Sequence, residues 1–81
     1  MKFNQLISQR TKRLLKARHW TQYHLAQRGA LSLSTLSTVL NCKTKTVTME
    51  TVLNICRGFD MRVADFFDTD IFDPENIADD D

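Results

Sequence analysis

Eighty-one residues, 42% hydrophobic and 26% charged, suit one small globular domain and leave no room for a second independent core. Two Gly and one Pro are too few for the tight turns of a barrel or sandwich, and no apolar run approaches the roughly 20 residues that span a bilayer. The net charge of +1 conceals a division: residues 1–67 hold all eleven Lys and Arg against Glu50, Asp60 and Asp65, a balance of +8, whereas residues 68–81 hold seven acids and no base, −7.

The opening Met1-Lys2-Phe3-Asn4-Gln5 has no signal-peptide core, so the default expectation is a cytoplasmic protein. From Phe3 to about Arg18, the apolar Phe3, Leu6, Ile7, Leu14 and Leu15 alternate with Arg10, Lys12, Arg13 and Lys16 at the spacing of an amphipathic helix. One device then appears three times, in Trp20-Thr21-Gln22-Tyr23-His24-Leu25, Leu31-Ser32-Leu33-Ser34-Thr35-Leu36 and Val47-Thr48-Met49-Glu50-Thr51-Val52. Each is an apolar residue, a Ser or Thr, three residues, and an apolar residue again. The hydroxyl is placed to cap a helix N-terminus, and the two apolar residues to staple it.

These starts predict helices over residues 22–28, 33–41 and 49–57. A fifth, over roughly 62–68, takes its inward face from Val63, Phe66 and Phe67. Residues 69–81 read as an acidic tail or extended arm, in which Pro74 and the terminal Asp run discourage regular structure. The expected organisation is a domain at 1–68 and a tail at 69–81.

Cys42 and Cys56 form no C-x-x-C pair and are expected as reduced thiols. A zinc site would have to recruit His19 and His24, which share no helical face, so no metal site and no cofactor is expected. Nothing resembles a catalytic constellation either. Neither His has a Cys or acid at catalytic spacing, no Gly-rich loop could cradle a phosphate, and the chain is short for a deep pocket. A basic body points instead to a polyanionic partner, with nucleic acid first.

Two short helices joined by about four residues around Gly29-Ala30-Leu31 have helix-turn-helix spacing. The segments T-Q-Y-H-L-A (21–26), L-S-L-S-T-L-S-T-V-L-N (31–41), V-T-M-E-T-V-L-N-I (47–55) and V-A-D-F-F (63–67) resemble the Cro and phage-repressor type (XRE family) of helix-turn-helix transcriptional regulators. With the first helix, the resemblance covers about residues 3–68. It implies an all-α, compact five-helix, phage-repressor-like DNA-binding domain, here followed by the short acidic C-terminal tail. It further implies that Gln22 contacts a DNA phosphate and that the helix at 33–41 enters the major groove. Leu33, Ser34, Ser37 and Thr38 match positions that face base edges. Asn41 and Lys43 match phosphate contacts, and Lys45 lies close enough to help.

The residues themselves agree with that placement. Leu31, Leu36, Val39 and Leu40 already fill the inward face, so an outward Leu33 is best explained by contact with a partner. No Arg, Lys, Gln or Glu lies between Leu33 and Asn41, which removes the bidentate pairings to guanine and adenine from the helix. Hydroxyls and one Leu remain, which predicts thymine-containing half-sites and a large share of shape readout.

Departures from the family pattern fall at turns. Ala30 stands where Gly is common, with Gly29 one place earlier; Asn41-Cys42 replaces Asn-Gly, so one of the two must be left-handed; Asp60 replaces Gly; and Arg62 replaces a hydroxyl cap. Many relatives carry a buried Arg–Glu pair at the positions of Leu15 and Leu40.

The partners expected are double-stranded DNA and a second copy of the chain, with no membrane and no small-molecule substrate. Phe59, Met61, Phe66 and Phe67 either complete the core or form a self-complementary patch. The tail is a solubilising end, an arm packed on the domain or a sister subunit, or an acidic competitor for the basic face. The alternative function is a protein-interaction module, an antitoxin or anti-repressor partner on the same framework.

Overall fold

A computed structural model describes residues 1–77. They form α1 (Phe3–Arg18), α2 (Gln22–Arg28), α3 (Leu33–Leu40), α4 (Met49–Phe59) and α5 (Val63–Phe67), followed by 3-10 turns at Asp70–Phe72 and Pro74–Asn76. Among the described residues there is no strand, and the all-α, five-helix expectation holds.

The three predicted starts are built as expected. Thr21, Ser32 and Thr48 each accept the backbone N–H three residues on, from His24, Thr35 and Thr51. The staples close over them: Leu25, Leu36 and Val52 are fully buried, and Trp20, Leu31 and Val47 pack half-buried against the same core. Arg62 provides no side-chain cap to α5, which runs for only five residues.

The helix ends follow a rule that composition conceals. His19, Ala30, Cys42 and Asp60 close α1 to α4 in the left-handed conformation, with φ between 53° and 56°, and none is glycine. The next residue then donates its N–H five residues back in each case: Trp20 to Leu15, Leu31 to Ala26, Lys43 to Thr38 and Met61 to Cys56, at 3.0, 3.0, 3.1 and 3.0 Å. These are Schellman closures made without the residue that usually makes them.

Both glycines serve closeness instead. A Cβ on Gly29 would stand 2.4 Å from the carbonyl oxygen of Asn54, and one on Gly58 would stand 2.7 Å from Leu25 Cδ1 and 3.1 Å from the Gly29 nitrogen. The end of α2 thus lies directly on the backbone of α4. Neighbouring positions should consequently respond with opposite signs. Gly29→Ala is expected to cost about 1–3 kcal/mol, because a backbone oxygen must move to admit the methyl. Ala30→Gly, at an exposed left-handed site, should gain about 0.5–1 kcal/mol, left-handed strain relieved less the added entropy of the unfolded chain. Urea unfolding of both variants checks the pair.

The core draws Ile7 and Leu15 from α1, Leu25 from α2, Leu36, Val39 and Leu40 from α3, Val52, Ile55 and Phe59 from α4, and Phe66 from α5. Phe59 and Phe66 are completely buried, and Met61 and Phe67 are half-buried, so these four residues belong to the core rather than to a surface patch.

Residues 70–76, expected to lack regular structure, are ordered by Phe72. Its ring lies 4.8 Å from Phe67, 6.1 Å from Phe66 and 6.1 Å from Phe3, centroid to centroid. The side-chain amide of Asn76 donates to the Asp70 carbonyl at 2.7 Å, tying the two turns together. Pro74 occupies the first position of its turn, where a missing N–H costs nothing. The run Asp79–Asp81 lies outside the described residues.

Candidate nucleic-acid interface

The two faces of α3 separate cleanly. Leu36, Val39 and Leu40 are buried, while Leu33, Ser34 and Thr35 are exposed and Ser37 and Thr38 half-buried. Leu33 is 46% exposed at the first position of the helix, with Ser34 beside it. Not all the hydroxyls are equally available. Thr38 donates to the Ser34 carbonyl at 2.9 Å, so what it presents outward is a lone pair and a methyl. Ser37 accepts from the Asn41 side-chain amide at 3.1 Å and keeps its own proton to donate.

Gln22 opens α2 in an exposed position immediately after the Thr21 cap, beside backbone N–H groups that favour an anion. Asn41, Lys43 and Lys45 are exposed on the segment between α3 and α4. The structure therefore places Leu33, Ser34, Ser37 and Thr38 on one side of α3, with Asn41, Lys43 and Lys45 beyond its C-terminal end and Gln22 on α2.

What holds that segment was not read from the sequence. Asn4 and Ser8 lie buried on α1. The Asn4 amide donates to the Thr44 carbonyl at 2.8 Å, and the Ser8 hydroxyl donates to the Leu40 carbonyl at 2.7 Å. One bond closes the end of α3 and the other pins the loop that carries Lys43 and Lys45. The signal was present as a polar stripe, Asn4, Ser8 and Thr11, running at helical spacing beside the apolar residues of α1. Tyr23 was also missed. It is 60% exposed next to Gln22, and its hydroxyl accepts from the Gln27 amide at 2.9 Å.

The cations divide by role. Arg10 donates to the Asp65 and Phe66 carbonyls, Arg18 to the Phe59 carbonyl and Arg28 to the Gly58 carbonyl, so three guanidinium groups sit at the carbonyl-rich ends of α4 and α5. Arg18, itself exposed, lies over the rings of Trp20 and Phe59 at 5.1 and 5.0 Å. Lys12, Arg13 and Lys16 line a cleft of about 430 Å³ together with Cys42, which puts the cations of α1 next to the end of α3.

Cys42 is exposed and Cys56 buried, and both are free. Burial pushes the Cys56 thiol above its ordinary value, with Arg10 opposing, so it stays a protonated small hydrophobe. Among the described residues, no three His, Cys, Asp or Glu side chains gather where a metal could be held, and no helix is long and apolar enough to cross a membrane.

A family model for the Cro/C1-type HTH DNA-binding domain matches residues 10–70. No curated protein and no solved structure matches the chain. The matched span runs from the middle of α1 through α5, and so includes the capped α2–turn–α3 unit and the loop pinned by Asn4 and Ser8. The chain therefore belongs to the Cro/C1-type helix-turn-helix family of DNA-binding regulators.

Proposed function

We propose that the protein is a sequence-specific, repressor-type regulator that binds double-stranded DNA as a homodimer, with α3 inserted in the major groove. The observation that carries this reading is the solvent-open face of α3, where an exposed Leu33 and the Ser34 hydroxyl stand opposite a fully apolar inward face. Gln22, Asn41, Lys43 and Lys45 contact phosphates, which supply affinity and fix orientation; Ser34, Ser37 and Thr38 meet base edges, which supply choice. Leu33 lies against a thymine methyl. Two such helices related by a two-fold axis read half-sites about 34–36 Å apart.

Selection of bound sequences from a random duplex pool should return a two-fold symmetric site containing thymine. On that site the logarithm of affinity falls linearly with the logarithm of salt, and Lys43→Ala lowers the slope by about 1. Replacing the contacted thymine by uracil removes one methyl and is expected to cost about 0.8 kcal/mol, roughly fourfold in affinity, an effect that Leu33→Ala abolishes. A salt-independent affinity would reject the phosphate contacts. Equal losses for uracil at unrelated positions would reject the role of Leu33.

A further inference from the structure

The outward side of α4 combines apolar and charged groups in a self-complementary pattern. Met49 is 58% exposed and Leu53 37% exposed, one turn apart, and Arg57 continues the same stripe one turn further on. Glu50 borders it, exposed, and is the only acid in the first 59 residues. Val52, Ile55, Cys56 and Phe59 face the core, which leaves Met49 and the outer part of Leu53 turned to solvent.

We infer that this stripe is the contact between two copies of the chain, with α4 packed antiparallel on its counterpart about a two-fold axis beside Leu53. The inference rests on the homodimer in the reading above and adds which surface forms it. The pattern selects the occupant. An axis at residue 53 sets Leu53 against itself and Met49 against the methylene stem of the partner subunit's Arg57, since 49 and 57 are equidistant from 53. It also brings Glu50 to the partner subunit's Arg57, and the same pair recurs on the other side of the axis. An isologous contact requires such reciprocity. Arg57 keeps donors for it, because its recorded bond to Asn54 Oδ1, 3.2 Å, uses one nitrogen. Antiparallel helices also place each N-terminus beside the other's C-terminus, which favours the pairing. A parallel arrangement would set Glu50 beside Glu50 and Arg57 beside Arg57.

Sedimentation equilibrium of the full chain without DNA, from about 1 to 200 µM, tests this at the concentrations a small apolar contact requires. The wild type should dimerise. Leu53→Asp should weaken dimerisation about tenfold or more while the thermal unfolding of the monomer stays near wild type. Glu50→Arg and Arg57→Glu should each weaken it, and combining them should restore it, because the reversal recreates both pairs. A wild type monomeric at 200 µM overturns both the dimer and its interface. A dimer indifferent to Leu53→Asp overturns the interface and leaves the dimer standing. Failure of the doubly reversed variant to recover overturns the antiparallel arrangement. None of these outcomes depends on the DNA-contacting face of α3.

Discussion

Leu15→Arg is expected to lower the stability of the domain by about 3–5 kcal/mol, the range seen when one member of a buried ion pair is left without the other. Leu15 on α1 is 7% exposed and Leu40 on α3 1%, and both belong to the core that all five helices build. A guanidinium placed there would be stripped of water, and no acidic residue belongs to that core cluster to receive it. The nearby polar groups are already committed: the Ser8 hydroxyl donates to the Leu40 carbonyl and Thr11 to the Ile7 carbonyl. Adding Leu40→Glu should return part of the loss, since the pair common among relatives would be rebuilt between the same helices. Urea unfolding of the two single variants and the double gives the coupling directly. Additive losses would mean that the two side chains do not meet across the α1–α3 contact.

How much of this was legible in the sequence follows from how local each interaction is. The starts of α2, α3 and α4 could be placed because a cap is a contact between residues three apart, and its staple spans five. The ends could not be placed as well. Ala30, standing where Gly is common, does carry the positive φ, but nothing local explains the Gly before it, which has φ −92°. What fixes Gly29 is the carbonyl of Asn54, a neighbour only after folding. Helix α4 likewise runs two residues beyond the expected 57, because Gly58 and Phe59 are held on the core by Leu25, Trp20, Arg18 and Arg28. The outward place of Leu33 was readable from periodicity, and those of Ser34, Ser37 and Thr38 from the family resemblance. The side chains that support them, Asn4 and Ser8, form a polar stripe on α1 that is visible in the sequence, but the carbonyls they act on, 40 and 32 residues away, are not. The division of the arginines was hidden for the same reason: charge counts add all eleven cations, and packing then withdraws three of them to helix ends.

Two of those arginines, Arg18 and Arg28, are held at the end of α4 around Phe59. Phe59→Ala is expected to cost about 3–5 kcal/mol, the range for removing a buried phenyl ring. The ring is fully buried and stacks on Trp20 at 5.5 Å with an interplanar angle of 11°. Arg18 lies over both rings and donates to the Phe59 carbonyl, and Arg28 lies 5.1 Å from the Trp20 ring while donating to the Gly58 carbonyl. Removing the ring takes one wall from the Arg18 site and leaves the last turn of α4, closed by Asp60 in a left-handed conformation, with fewer contacts to hold it. Phe59→Leu keeps most of the volume and should recover more than half of the loss. Trp20 is the single tryptophan, so its fluorescence reports the stack directly and should shift in Phe59→Ala before any unfolding. Arg18→Ala should cost less than Phe59→Ala, because the stacked rings survive it. It should also leave the salt dependence of DNA binding unchanged, since this cation is bound to the end of α4 rather than presented to a phosphate. A salt slope reduced by about 1 in Arg18→Ala would return that arginine to the DNA-facing set.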